Sequence, residues 1–310
     1  MLAYYTKRSR GEEFEILKRP VTSGMWLDGS NLSQQEIDIL IAEYNLERNI
    51  VYDVRDRQEL PRIEKSNDDL YVFLRMPWLA KSGHVATLPM LVIMRTNMLL
   101  SLTTGDGLSL ETISKTTVPT TTEHTDDLLL GMIAACISLY EELLHHTERS
   151  INDTTNRLRT HEVTNADFIH FVVVEDNLNS FRMNLKGILN VIERLRDGDV
   201  KGISQKNHEP LDDIALQIKQ LLAAVDSYSS RVESVRNAYG TIANNKLNQR
   251  MKTLTVLTVL ITLPNVIFGM FGMNIVIPYT KEPWAYMAVM GMSVASIIFV
   301  YVLARKFKVF

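Results

Sequence analysis

Cysteine is almost absent from this sequence: Cys136 stands alone among 310 residues. One thiol cannot close an internal disulfide, which excludes a disulfide-stapled scaffold and fits a reducing compartment. A surplus of either charge is missing as well. Lys and Arg number 33 against 36 Asp and Glu, a net charge of −3, and no basic patch stands out, so nucleic acid is not an expected partner. The first residues, MLAYYTKRSRGEEFEILKRP, lack an apolar core of signal-peptide length. Nor is there a nucleophile–base pair, a Cys-rich metal spacing or a Gly-rich phosphate loop, so neither an enzyme nor a bound cofactor is expected.

Charge is missing most tellingly near the C-terminus. No charged residue occurs from Leu254 to Met273, nor from Trp284 to Ala304, and each run has about the length a helix needs to cross bilayer hydrocarbon. The link between them is so short that the two spans, 251–274 and 284–304, must form a hairpin around an external loop, 275–283. Arg250 and Lys252 precede the first span, and Arg305, Lys306 and Lys308 lie in the tail 305–310. The positive-inside rule then puts both chain ends in the cytoplasm of a cell that carries this multi-pass protein in its plasma or inner membrane.

The rest of the chain changes period twice. Residues 1–122 read as a cytoplasmic α/β domain, with strands at 13–18, 24–28, 69–77, 87–95 and 97–104 and a hairpin about Thr96-Asn97. Ser33 with Glu36 three residues on is a capping box opening an amphipathic helix. The Thr-rich stretch 116–122 is most simply a loop. Residues 123–207 carry two long antiparallel helices. The apolar run Leu128–Tyr140 of the first is too short to span a bilayer and is flanked by acids, so it reads as a buried helix. His145 and His146, near Glu141, Glu142 and Glu148, read as a solvated face rather than a metal site. After a breaker-rich link, Pro210 suits a first helical turn, and 208–250 forms a long stalk. Leu211, Ile218, Val225, Val232 and Tyr239 hold one heptad position, and Ile214, Leu221, Tyr228, Val235 and Ile242 the other. No Pro interrupts until Pro264, so the stalk continues into the first span as one rod of about 90 Å. Its seam buries either against the preceding helices or against copies of itself.

The first span is not uniformly apolar. Thr255, Thr258, Thr262 and Asn265 fall at i, i+3, i+7 and i+10, on one helical face. Such a face is either a polar seam between packed helices or the wall of a water-filled path. The span closes on Gly272-Met273-Asn274 and is preceded by Asn248 and Met251-Lys252. In that position, between two C-terminal spans, the tripeptide resembles the signature of the CorA family of divalent-cation channels. The likeness extends over the whole layout. Two departures accompany it: Pro264 lies one place later than in the best-known members, and the link IVIPYTKEPW lacks their acidic segment.

A single hairpin cannot enclose a path, so the pore reading demands a symmetric homo-oligomer in the lipid bilayer; the resemblance implies a pentamer. It further implies a channel carrying hydrated divalent cations, Mg²⁺ first with Co²⁺ or Ni²⁺ as further cargo. Gly272, Met273 and Asn274 would form the filter, with Asn248, Met251, Leu254, Thr255, Thr258, Thr262, Asn265 and Gly269 along the path. Leu254 would be a hydrophobic constriction. Counting back from Asn274 without gaps, Asp213 meets the acid that in the family binds regulatory metal, Mg²⁺ among others; equally it is a first-turn acid favoured by the helix dipole. Asn274 is either a filter residue or a left-handed cap. Two further readings stay open: a zinc transporter of the same family, and a membrane-anchored coiled-coil sensor or scaffold.

Overall fold

The computed structural model describes residues 2–21, 23–160, 165–197, 203–273 and 282–306, which fall into two compact units, Met1–Ser234 and Val235–Phe310.

Unit 1 is built on a mixed sheet whose strands are β1 (Leu2–Thr6), β2 (Glu15–Leu17), β3 (Met25–Gly29), β4 (Arg62–Ser66), β5 (Asp69–Leu79), β6 (Val85–Met94) and β7 (Met98–Thr103). Their order is β2-β1-β3-β7-β6-β5-β4. Only the β3–β7 pair is parallel, with Trp26 opposite Leu99 and Asp28 opposite Ser101. The hairpin at Thr96-Asn97 is present, closed by the Arg95 N–H donating to the Met98 carbonyl at 3.0 Å. Two strands were not foreseen. The short β1 is followed at once by the charged stretch from Lys7, and β4, RIEKS, has a single apolar residue, Ile63. Charge on such an edge strand discourages pairing with other chains.

On one sheet face lie α1 (Gln34–Tyr44) and α2 (Arg48–Tyr52). The capping box that opens α1 forms as expected: Glu36 N–H donates to Ser33 Oγ at 3.3 Å, and Ser33 N–H to Glu36 Oε2 at 2.8 Å. Ile37, Leu40, Val51 and Val54 pack there against Leu27, Phe73, Leu91, Ile93 and Leu100, the alternate residues of the strands. A short helix, α3 (Leu110–Ser114), leads to the Thr-rich stretch. That stretch is irregular, and its second half, Thr120 to Thr122, is buried: Thr122 N–H donates to the Lys7 carbonyl and Lys7 N–H to Thr122 Oγ1, both at 2.9 Å.

Three helices follow, α4 (Thr125–Thr160), α5 (Asn165–Arg196) and the 64-residue α6 (His208–Phe271). The apolar run of α4 is buried on every side from Leu128 to Ile137, as a helix between two layers must be. It seats on β5, where the Arg75 carbonyl accepts from Tyr140 Oη at 2.9 Å and Cys136 Sγ at 3.3 Å. Desolvation pushes the Cys136 thiol up to about 12. Against α4, α5 runs antiparallel: Tyr140 meets Phe181 edge-on at 5.9 Å, and Ser150 Oγ lies 2.8 Å from His170 Nε2. The start of α6 completes the layer. Leu211, Ile214, Ile218, Leu221, Val225 and Val232 are buried, Gln217 donates to Glu141 at 2.9 Å, and Arg182 reaches Asp226 at 3.0 Å. This part of the seam therefore buries against the chain's own preceding helices.

The root of α6 is tied down by two buried acids at the start of α4. Asp126 accepts from Ser204 N–H at 3.0 Å, Ser204 Oγ at 2.6 Å and Asn207 Nδ2 at 2.9 Å. Asp127 accepts from Asn207 Nδ2 at 2.8 Å and pairs with Lys206 at 3.1 Å. The N-terminal end of a 36-residue helix is a favourable place for both charges.

Unit 2 holds the remainder of α6 and α7 (Ala285–Lys306). Residues 241–255 are all exposed, including Ile242 of the heptad seam. Pro264 sits inside α6 without ending it, although it leaves the Leu260 carbonyl without its helical donor.

Candidate ion pathway

The candidate site is the polar stripe of α6, and it lies wholly within unit 2. Asn248, Met251, Leu254, Thr255, Thr258, Thr262, Asn265 and Gly269 are all exposed. At about 100° per residue they share one side of the helix. The less exposed residues of the same stretch, Val256, Leu260, Pro264 and Ile267, form a stripe on the opposite side. A matching stripe runs along α7 through Ala285, Ala288, Val289, Ser293, Ser296, Val300 and Ala304, with Ser293 4% and Ala304 7% exposed. Small residues on that stripe permit close approach of another helix. The polar face is therefore the one α6 turns away from its less exposed side.

Its hydroxyls are not idle. Thr255, Thr258 and Thr262 Oγ1 donate to the carbonyls of Met251, Leu254 and Thr258 at 2.9, 2.9 and 2.7 Å. Each oxygen keeps its lone pairs on the exposed side. The serines of α7 do likewise: Ser293 Oγ donates to Val289 O at 2.9 Å and Ser296 Oγ to Ser293 O at 2.7 Å.

At the far end the helix stops at Phe271. Gly272 N–H still reaches the Phe268 carbonyl at 2.9 Å, and Met273 N–H the Met270 carbonyl at 3.4 Å, which tightens the last turn. A Cβ on Gly272 would stand 3.3 Å from the Phe268 carbonyl oxygen, so a small residue suits that turn. Asn274 lies outside the described residues. Asp213 belongs to unit 1 and is exposed in the first turns of α6. Among the described residues no group of three or more metal-ligating side chains gathers. His145 lies 3.7 Å from Glu148 on an open surface. What the sequence reading missed is the Asp126–Asp127 clasp; its signal was the acid pair itself, but nothing local tells that Ser204, Lys206 and Asn207 close over it.

An α/β unit with long helices, followed by two helices long and apolar enough to cross a membrane, one of them with an exposed polar stripe, is the build of a membrane-transport protein. Residues 22–306 match the family model described as CorA-like Mg²⁺ transporter protein, and the chain belongs to the CorA family. The cobalt/magnesium transport protein CorA of Methanocaldococcus jannaschii is 22% identical over 292 residues, 91% of this chain and 90% of that protein. The complete structure of the CorA magnesium transporter from the same organism matches with a TM-score of 0.81 at 18% identity, covering 98% and 97% of the two chains. Full-length CmaX gives 0.72 at 14% identity over 99% and 97%. The ZntB cytoplasmic domain from Vibrio parahaemolyticus gives 0.60 at 11% identity, over 78% of this chain and 98% of that one.

Proposed function

We propose that this chain assembles as a homo-oligomer, a pentamer by its resemblance, and conducts hydrated divalent cations, Mg²⁺ first, into the cytoplasm. The observation that carries this reading is the exposed Thr/Asn stripe of α6, set opposite the helix's less exposed side. In a bilayer a single chain would present that stripe to lipid, where hydroxyls and amides gain nothing; around a common axis the stripes enclose water. Both chain ends lie in the cytoplasm, and the inside-negative potential drives entry with about 4.6 kcal/mol per divalent ion for each 100 mV. A neutral lining suits Mg²⁺, which gives up its water reluctantly: Thr and Asn oxygens hold the hydrated shell without replacing it. Asn274, repeated around the axis, is the filter residue. Internal divalent ions close the channel, with Asp213 contributing to their binding.

A zinc carrier of the same family is the second reading, left open by the likeness to the ZntB cytoplasmic domain. Flux of Mg²⁺, Co²⁺, Ni²⁺ and Zn²⁺ into vesicles holding the purified chain decides between them. Preferred Mg²⁺ entry supports the first reading, preferred Zn²⁺ entry replaces it with the second, and no flux of any of the four leaves a scaffold.

A further inference from the structure

The stripe has a polarity as well as a position. Thr255, Thr258 and Thr262 each give their only hydroxyl proton to a carbonyl of their own helix, at 2.7–2.9 Å. A hydroxyl with its proton so engaged offers only lone pairs to whatever passes. Thr253 bonds Gln249 O in the same way at 3.0 Å, so the bond itself belongs to Thr on a helix. What is particular is the placing of three such oxygens in line, on the face away from the less exposed stripe. Asn265, one helical step further on, is the next polar group of the stripe, and its amide also donates, as does that of Asn248 before the ladder.

Hydration water is oriented by the ion it surrounds. Around a cation the oxygens point inwards, so the shell presents hydrogens, and a wall of acceptors binds it. Around an anion a hydrogen points inwards and the shell presents lone pairs, which such a wall cannot satisfy, and a polar group left without a partner is unfavourable. Resting on the reading of the stripe as a pathway wall, we propose that Thr255, Thr258 and Thr262 form an acceptor-only ladder that selects hydrated cations over anions by sign, apart from any discrimination among cations at Asn274. No carboxylate takes part, since none occurs from Leu254 to Met273.

The test is the cation-to-anion permeability ratio, from reversal potentials across a bilayer with unequal MgCl₂ on its two sides, with ZnCl₂ in parallel. Valine keeps the shape of Thr and lacks the oxygen, so Thr258→Val with Thr262→Val is expected to lower the ratio by about tenfold or more. Thr258→Ser with Thr262→Ser keeps the back-bond and is expected to restore the ratio to within about threefold of the unmodified chain. Detergent mass must show the same assembly for all three. A valine variant that conducts with the original ratio overturns the ladder alone. A native chain that passes no ion overturns the pathway reading, and the ladder with it.

Discussion

Among the described residues three helices carry apolar stretches long enough to cross a bilayer, and the first ends in surroundings opposite to those of the other two. In α4 the most apolar window is 67% buried within the protein; in α6 the corresponding window is 0% buried, and in α7 11%. Hydropathy alone counts all three as spans. What separates them is what flanks and faces the apolar run. The run of α4 begins at Asp126 and Asp127, acids that unit 1 itself satisfies, and is apolar around its circumference because layers cover it on both sides. The run of α6 follows Arg250 and Lys252 and carries one polar stripe. A second contrast lies within α6: its seam is buried up to Val232 and exposed from residue 241 onwards. One continuous helix thus serves first as core and then as exposed surface.

Breaking the membrane side of the comparison should have the largest effect. Asn274→Ala is expected to abolish selective Mg²⁺ uptake while the oligomer still assembles, measured by vesicle flux beside detergent mass. Asn274→Gly that keeps uptake and ion preference would make the residue a cap. On the soluble side, Asp127→Ala leaves the buried Asn207 amide without one acceptor and the exposed Lys206 without its partner, and should destabilise unit 1 by about 1–3 kcal/mol, read by thermal unfolding. Asp126 adds a pH dependence. Burial pushes its carboxyl up, but hydrogen bonds from Ser204 and Asp127, with the Lys206 charge, outweigh this and hold it below the usual carboxylate value. The folded form therefore binds the proton less readily than the unfolded one. Its contribution is present above the unfolded carboxylate range and is lost as pH falls through the folded value, so the melting midpoint should drop in acid, and less so in Asp126→Asn.

The two halves of α6 give a sharper pair. Ile218→Ala should cost about 2–4 kcal/mol of unit 1 stability, whereas Leu247→Ala, 59% exposed, should change it by less than about 0.5 kcal/mol. The smallest expected effect on stability is that of Asp213→Ala, since the side chain is exposed. Its expected effect is on closure: the internal Mg²⁺ needed to shut the channel should rise, and an unchanged dose–response would move the sensor elsewhere.

Legibility in the sequence followed the range of the interactions. Capping at Ser33 and Glu36, the turn at Thr96-Asn97 and the period of the long helices are local, and each formed where the residues indicated. The stripe of Thr255, Thr258, Thr262 and Asn265 was visible as spacing, although only the fold shows that Val256, Leu260, Pro264 and Ile267 are the less exposed side. β1 and β4 escaped notice because their pairing partners, not their own composition, make them strands: Ile63 lies opposite Val72, and Tyr4 opposite Leu27. The clasp escaped for the same reason, since Asp126 and Ser204 are 78 positions apart.

The most direct test of the pathway is the reach of water to its two sides. Cys136 is fully buried and its thiol is pushed up to about 12, so the native chain offers a silent background to charged, water-soluble thiol reagents. Cysteine placed by Thr258→Cys should be modified quickly in vesicles and the modification should block divalent flux. Cysteine placed by Leu260→Cys, on the less exposed side of α6, should be modified far more slowly and should remain conducting. Equal labelling of both positions, or block from Leu260→Cys alone, would contradict a pathway along the Thr stripe.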